Sequence, residues 1–131
     1  MRWKLIVVRC AALALMTSTH AAAQATKSAE PFSVGTFAVD GRETLGLVLR
    51  QQFVVELDAA NRNLQMEPGV VKMAMPEDML HLIGLYEYGL KYRLYEIVNH
   101  LVATKQLEGQ RPGFVHEVKD GPIENVPLNA R

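Results

Sequence analysis

Residues 31–57 read PFSVGTFAVDGRETLGLVLRQQFVVEL, three short runs of branched and aromatic residues separated by two turn signals. Asp40-Gly41, between the first two runs, tolerates the positive φ angles of a two-residue hairpin turn, and Gln51-Gln52 turns the chain again before Phe53. The spacing predicts an antiparallel three-stranded meander. Phe32, Val34 and Thr36 alternate with Ser33 and Gly35, and Leu45, Leu47 and Leu49 alternate with Gly46, Val48 and Arg50, so each strand directs one face at a core.

A helical block has to cover that face. After Asp58, placed as the N-cap of a short helix over residues 59–64, the chain is irregular to Met75, and Pro76-Glu77-Asp78 then opens a helix that Gly109 closes. At 100° per residue, Met79, Ile83, Tyr86, Leu90, Leu94, Ile97 and Leu101 fall on one stripe. Gly84 and Gly89 interrupt it, so a single long helix and a broken pair are both open, with the preserved phase favouring continuity. Beyond Gly109 the breakers Pro112, Gly113, Gly121, Pro122 and Pro127 predict an irregular C-terminal tail, interrupted everywhere but in the short run Phe114 to Val118. The fold class expected is α+β.

The first 23 residues have the pattern of a secretory signal peptide: Arg2, Lys4 and Arg9, an apolar stretch over 5–16, and small residues at Ala21-Ala22-Ala23. The expected product is secreted or periplasmic, with no membrane contact once the signal is cleaved. Residues 24–30 form a polar lead-in expected to be an exposed tail ordered only from Pro31, 31–108 a single domain, and 109–131 the tail. Cys10, within the signal, is the only cysteine, so the mature chain has neither a disulfide nor a thiolate. Basic and acidic side chains number 14 each, and loss of Arg2, Lys4 and Arg9 leaves an excess of acid that argues against nucleic acid, despite Lys91 and Arg93.

No serine stands in a nucleophile elbow, and no glycine-rich phosphate loop follows a strand. Glu77 with His81, and Glu96 with His100, each place a carboxylate and an imidazole one helical turn apart, but on a straight helix the two pairs point about 100° apart. Convergence on a metal would need a sharp break at Gly84 or Gly89, and neither a catalytic nor a metal site is assigned. His116 has no partner within reach by spacing. Tyr88, Tyr92 and Tyr95, with His81 and Asn99, line the helix face opposite the apolar stripe; they suit either an interface or a helix packed on both sides within its own domain.

The succession Gly35-Thr36-Phe37, Asp40-Gly41-Arg42, Gly46-Leu47-Val48-Leu49, with Val54-Val55-Glu56-Leu57 and the helical Pro76-Glu77-Asp78-Met79-Leu80 and Tyr95-Glu96-Ile97-Val98-Asn99, resembles the small N-terminal domain of fumarylacetoacetate hydrolase family proteins. The resemblance runs from Pro31 to about Lys119, with Glu56 standing where the family's third strand has aspartate. It implies metal-dependent hydrolysis of a carbon–carbon bond in diketo acids, carried out in a following domain that binds Mg²⁺ or Mn²⁺ through a Glu-x-Glu pair. This chain contains no Glu-x-Glu, so no cofactor or catalytic residue is carried over to it. The expectation is an inactive N-terminal domain or fragment whose face at Tyr88, Tyr92, Tyr95 and His81 meets a missing catalytic domain or a second copy. The rivals are a stand-alone periplasmic binding or interaction module using that face, and, ranked last, a small metalloenzyme built on the Glu-His pairs.

Overall fold

The computed structural model describes residues 25–120 and 123–125; residues 1–24, 121–122 and 126–131, and with them the expected signal segment 1–23, lie outside the described residues. The protein is α+β. Strands β1 (Phe32–Val39), β2 (Arg42–Leu49) and β3 (Phe53–Glu56) lead into helix α1 (Leu57–Leu64), followed by helices α2 (Met79–Leu85) and α3 (Lys91–Ala103) and strands β4 (Val115–Glu117) and β5 (Ile123–Asn125). The sheet order is β4-β3-β2-β1-β5, antiparallel at every step.

Asp40 and Gly41 turn the first hairpin with φ of 51° and 76°, the paired positive angles of a type I′ turn that matches the twist of the flanking strands. The second turn carries positive φ at Arg50 and Gln51, one residue earlier than Gln51-Gln52, and is closed by the Gln52 N–H donating to Leu49 O at 3.1 Å. Leu45, Leu47 and Leu49, with Phe53 and Val55, form the floor of the core, and α1 and α3 cover it with Leu57, Ala60, Leu64, Leu94, Ile97, Val98 and Leu101. The opposite face carries a smaller cluster of Phe37, Val39 and Val54. Gly35 and Gly46 are directly paired there, and the Phe37 ring lies where their side chains would stand: a Cβ at Gly46 would come within 2.8 Å of that ring and 2.9 Å of Val54. Two glycines at facing positions thus let an aromatic side chain cross the sheet.

The C-terminal region departs from expectation. The meander has four strands, because β4 pairs with β3 through Phe53↔Glu117 and Val55↔Val115, and β5 adds to the β1 edge through Val39↔Ile123. Expected as an irregular tail, this region supplies both edges of the sheet. Helix ends differ too. β3 runs directly into α1 with Glu56 at the N-cap, so Asp58 is not a cap; it lies in the first turn and pairs with Arg62 at 2.9 Å. Pro76 precedes α2 instead of opening it, and Asp78 is the cap, its carboxylate accepting the His81 N–H at 2.8 Å. α3 ends at Ala103, before Gly109: Gln106 N–H donates to Leu101 O at 3.0 Å and Lys105 N–H to Val102 O at 3.2 Å, a Schellman closure with Lys105 at φ 55°.

The helical block is a broken pair. Between α2 and α3 a wide turn over Tyr86–Leu90 contains Gly89 at φ 116°, a conformation costly for any residue with a Cβ, whereas Gly84 lies within regular helix. The lead-in is docked. Ala29 N–H donates to Asn99 Oδ1 at 2.6 Å, Asn99 Nδ2 donates to Lys27 O at 3.0 Å, and Arg50 pairs with Glu30 at 3.1 Å, so this segment is ordered ahead of Pro31.

Candidate interaction surface

The kink at Gly89 decides which apolar side chains face the core. Downstream, Leu90, Leu94, Ile97 and Leu101 are buried as the stripe predicts. Upstream, α2 buries Leu82 and leaves Ile83, a stripe member, 61% exposed; Leu80 is 83% exposed, and Leu85 is exposed as well. A regular helix through this point would keep Ile83 in phase with Leu94, and the positive φ at Gly89 removes that phase. The result is a seven-residue helix with apolar side chains on most of its circumference, a composition normally found where protein covers the helix on all sides.

The four residues singled out from sequence separate around the kink. Tyr88 lies within the wide turn and is 90% exposed, and His81 is exposed on α2. Tyr92 and Tyr95 are half-buried in α3 and pack inside the domain. Their rings meet edge to face with centroids 6.1 Å apart, and Tyr95 meets Phe32 of β1 in the same way at 6.1 Å. Tyr86 is hydrogen-bonded to Tyr95, and burial, followed by that bond, raises the Tyr86 phenol above its ordinary pKa. Lys91 stands over the Tyr92 ring at 5.4 Å and bonds Glu87 at 2.7 Å, and that bond is the main cause of its raised pKa. Tyr88 and His81 are thus exposed, as are Leu80, Ile83 and Leu85, while Tyr95 fastens α3 to Phe32 of β1 and Tyr92 packs on Tyr95. Leu80 and Ile83 were obscured in the sequence by the assumption of a continuous stripe; their spacing of three on a helix beside a breaker was the available signal.

The Glu-His pairs do not converge in spite of the break. Asp78, not Glu77, caps α2; Glu96 pairs with Arg93 at 3.3 Å, and His100 Nε2 lies 3.1 Å from Asn63 Oδ1. Among the described residues no group of three or more His, Cys, Asp or Glu side chains gathers as a metal site would require. His116 does have a partner: the antiparallel register brings its Nε2 to 2.8 Å from Glu56 Oε1, sixty positions away in sequence. On the same strand Glu117 is buried, accepting from Gln52 at 2.6 Å and pairing with Arg111 at 3.0 Å and Lys119 at 3.1 Å. The Gln52 bond, followed by Lys119, holds its carboxyl below the ordinary value. The stabilisation this gives is therefore present above the unfolded carboxylate pKa of about 4.3 and is lost as pH falls through the lower folded value. No helix among the described residues is long and apolar enough to cross a membrane.

Comparison of the sequence with known protein families, and of the chain with curated proteins and with solved structures, finds no match. The geometry itself is the basis for a functional reading.

Proposed function

We propose that this chain is an exported, non-catalytic docking domain, equivalent to the N-terminal domain of a fumarylacetoacetate hydrolase-like protein, and that α2 is the element that meets the catalytic domain or a neighbouring subunit. The observation that carries this reading is the exposure of Leu80, Ile83 and Leu85 on α2, and of Tyr88 in the turn that follows it, beside a well-filled core. Several large apolar side chains left exposed on one short helix are the kind of surface that marks interaction sites on folded proteins. Gly84 fits the same role: a Cβ there would meet nothing within 4 Å, so its absence serves no packing need within the domain and leaves room for a partner's backbone. The family's hydrolytic chemistry would belong to a separate catalytic domain, together with the Mg²⁺ or Mn²⁺ it requires. The second reading, a self-sufficient periplasmic binding module, draws on the closure of the core by α1, α3 and the sheet.

Sedimentation velocity over a concentration series, on the wild type and a Leu80→Glu/Ile83→Glu double variant, tests the docking surface. The expected result is concentration-dependent association of the wild type that disappears in the variant, with an unchanged Tm because neither side chain is part of the core. A monomeric wild type together with a lowered Tm in the variant would contradict the reading, since the two side chains would then be serving the domain's own fold.

A further inference from the structure

Arg93 lies on α3 between two tyrosines, a position that suits a solvated side chain, yet it is only 4% exposed. Its Nη2 donates to the Val71 carbonyl, and its Nη1 lies 3.3 Å from Glu96 Oε2. Nε and Nη1 have no hydrogen-bond partner among the described residues. A guanidinium has five N–H donors, and burying it against one neutral carbonyl and one partly exposed carboxylate at 3.3 Å leaves part of its desolvation uncompensated. For folding alone, an apolar side chain of similar volume often serves as well at such a buried position.

Beside Arg93 lies a cleft of about 520 Å³, within the usual range for small-molecule sites, whose walls include Leu64, Val70, Val71, Met73 and Glu96. The segment that roofs it, residues 66–74, has no regular structure. It is held through its backbone, by Asn61 Nδ2 and Gln65 Nε2 donating to Met73 O at 2.8 and 2.7 Å and by the Arg93 bond to Val71 O. Val71 and Met73, which both line the cleft, are also open to solvent, Val71 largely and Met73 in part.

We propose that this cleft binds a small monocarboxylate with a short apolar body, and that the Val71 carbonyl holds the place of the ligand's carboxylate on Arg93. A charged acceptor forms a stronger bond to a guanidinium than a neutral carbonyl does, and the apolar body lies against Leu64, Val70 and Met73. Glu96 already shares the guanidinium, which favours a monoanion over a more highly charged phosphate. The proposal is independent of the role of α2.

Isothermal titration calorimetry of the purified protein tests it, with hexanoate as the probe and hexanol and inorganic phosphate as controls. Saturable one-to-one binding is expected for hexanoate alone. Loss of the charged contact in Arg93→Met should weaken it by about tenfold or more. Glu96→Gln, which removes the competing carboxylate, should strengthen it, whereas a purely structural Arg93–Glu96 pair would give no gain. If Arg93→Met fails to fold, Met73→Glu, which places a like charge at the exposed mouth, should retain the wild-type Tm and lose hexanoate binding. No saturable hexanoate binding by the wild type, equal binding of hexanol, or binding indifferent to Met73→Glu would overturn the proposal.

Discussion

In α3, Leu94, Ile97 and Leu101 are sealed against the sheet, whereas on the other side of the Gly89 kink Leu80 and Ile83 of α2 stand in water. All five of these side chains are leucine or isoleucine, so hydrophobicity does not separate them. What separates them is direction. α3 lies across the floor formed by Leu45, Leu47 and Leu49, and α2, turned by a residue at φ 116°, reaches the core only through Leu82 and the partly buried Met79. A helix of seven residues has little stability of its own, so α2 depends on those contacts and on its Asp78 cap.

The largest contrast is expected from paired truncations. Leu94→Ala, at a fully buried site, should cost about 2–5 kcal/mol, and Ile83→Ala should stay within about 0.5 kcal/mol, both read from urea unfolding of the isolated protein. Comparable costs at the two positions would break the distinction between the helices.

Where the chain's instructions are local, they could be read in advance. Asp40-Gly41 specifies its own turn, and the alternation at Leu45, Leu47 and Leu49 specifies a buried face whatever the partner. The α3 half of the apolar stripe was legible for the same reason. The features that escaped depend on distant contacts. β4 and β5 are three residues each, too short to carry a pattern, and exist through pairing with β3 and β1. The Glu56 partner of His116 and the Asn99 clasp on the lead-in likewise join segments far apart in sequence. Gly84 and Gly89 were indistinguishable as candidate breaks, because a glycine permits a positive φ without requiring one. The burial of Arg93 was hidden because charge in a helical segment reads as surface, and only the loop carrying Val71 encloses it.

The kink itself can be probed next. Gly89→Ala forces a side chain into a sparsely populated backbone region and should destabilise the protein by about 1–3 kcal/mol, measured by thermal or urea unfolding. A neutral result would mean that the chain crosses from α2 to α3 without needing that angle. Removing the cap with Asp78→Ala should cost about 1 kcal/mol and should act on α2 first, visible as earlier loss of α2 amide protection than of α3. The smallest effect is expected at Gly84→Ala. It should add about 0.5–1 kcal/mol of stability, because the position is regular helix with open space around it, and it should weaken any association through the same face.

Native-state hydrogen exchange on the dilute wild-type protein tests most directly whether α2 is an outward-facing element on a core completed by α3. The account predicts that amides of Lys91–Ala103 exchange only through global unfolding, while those of Met79–Leu85 exchange through a local opening of much lower free energy. Equal protection in the two helices would contradict it, because α2 would then be as firmly part of the core as α3 and its apolar face would have no partner to await.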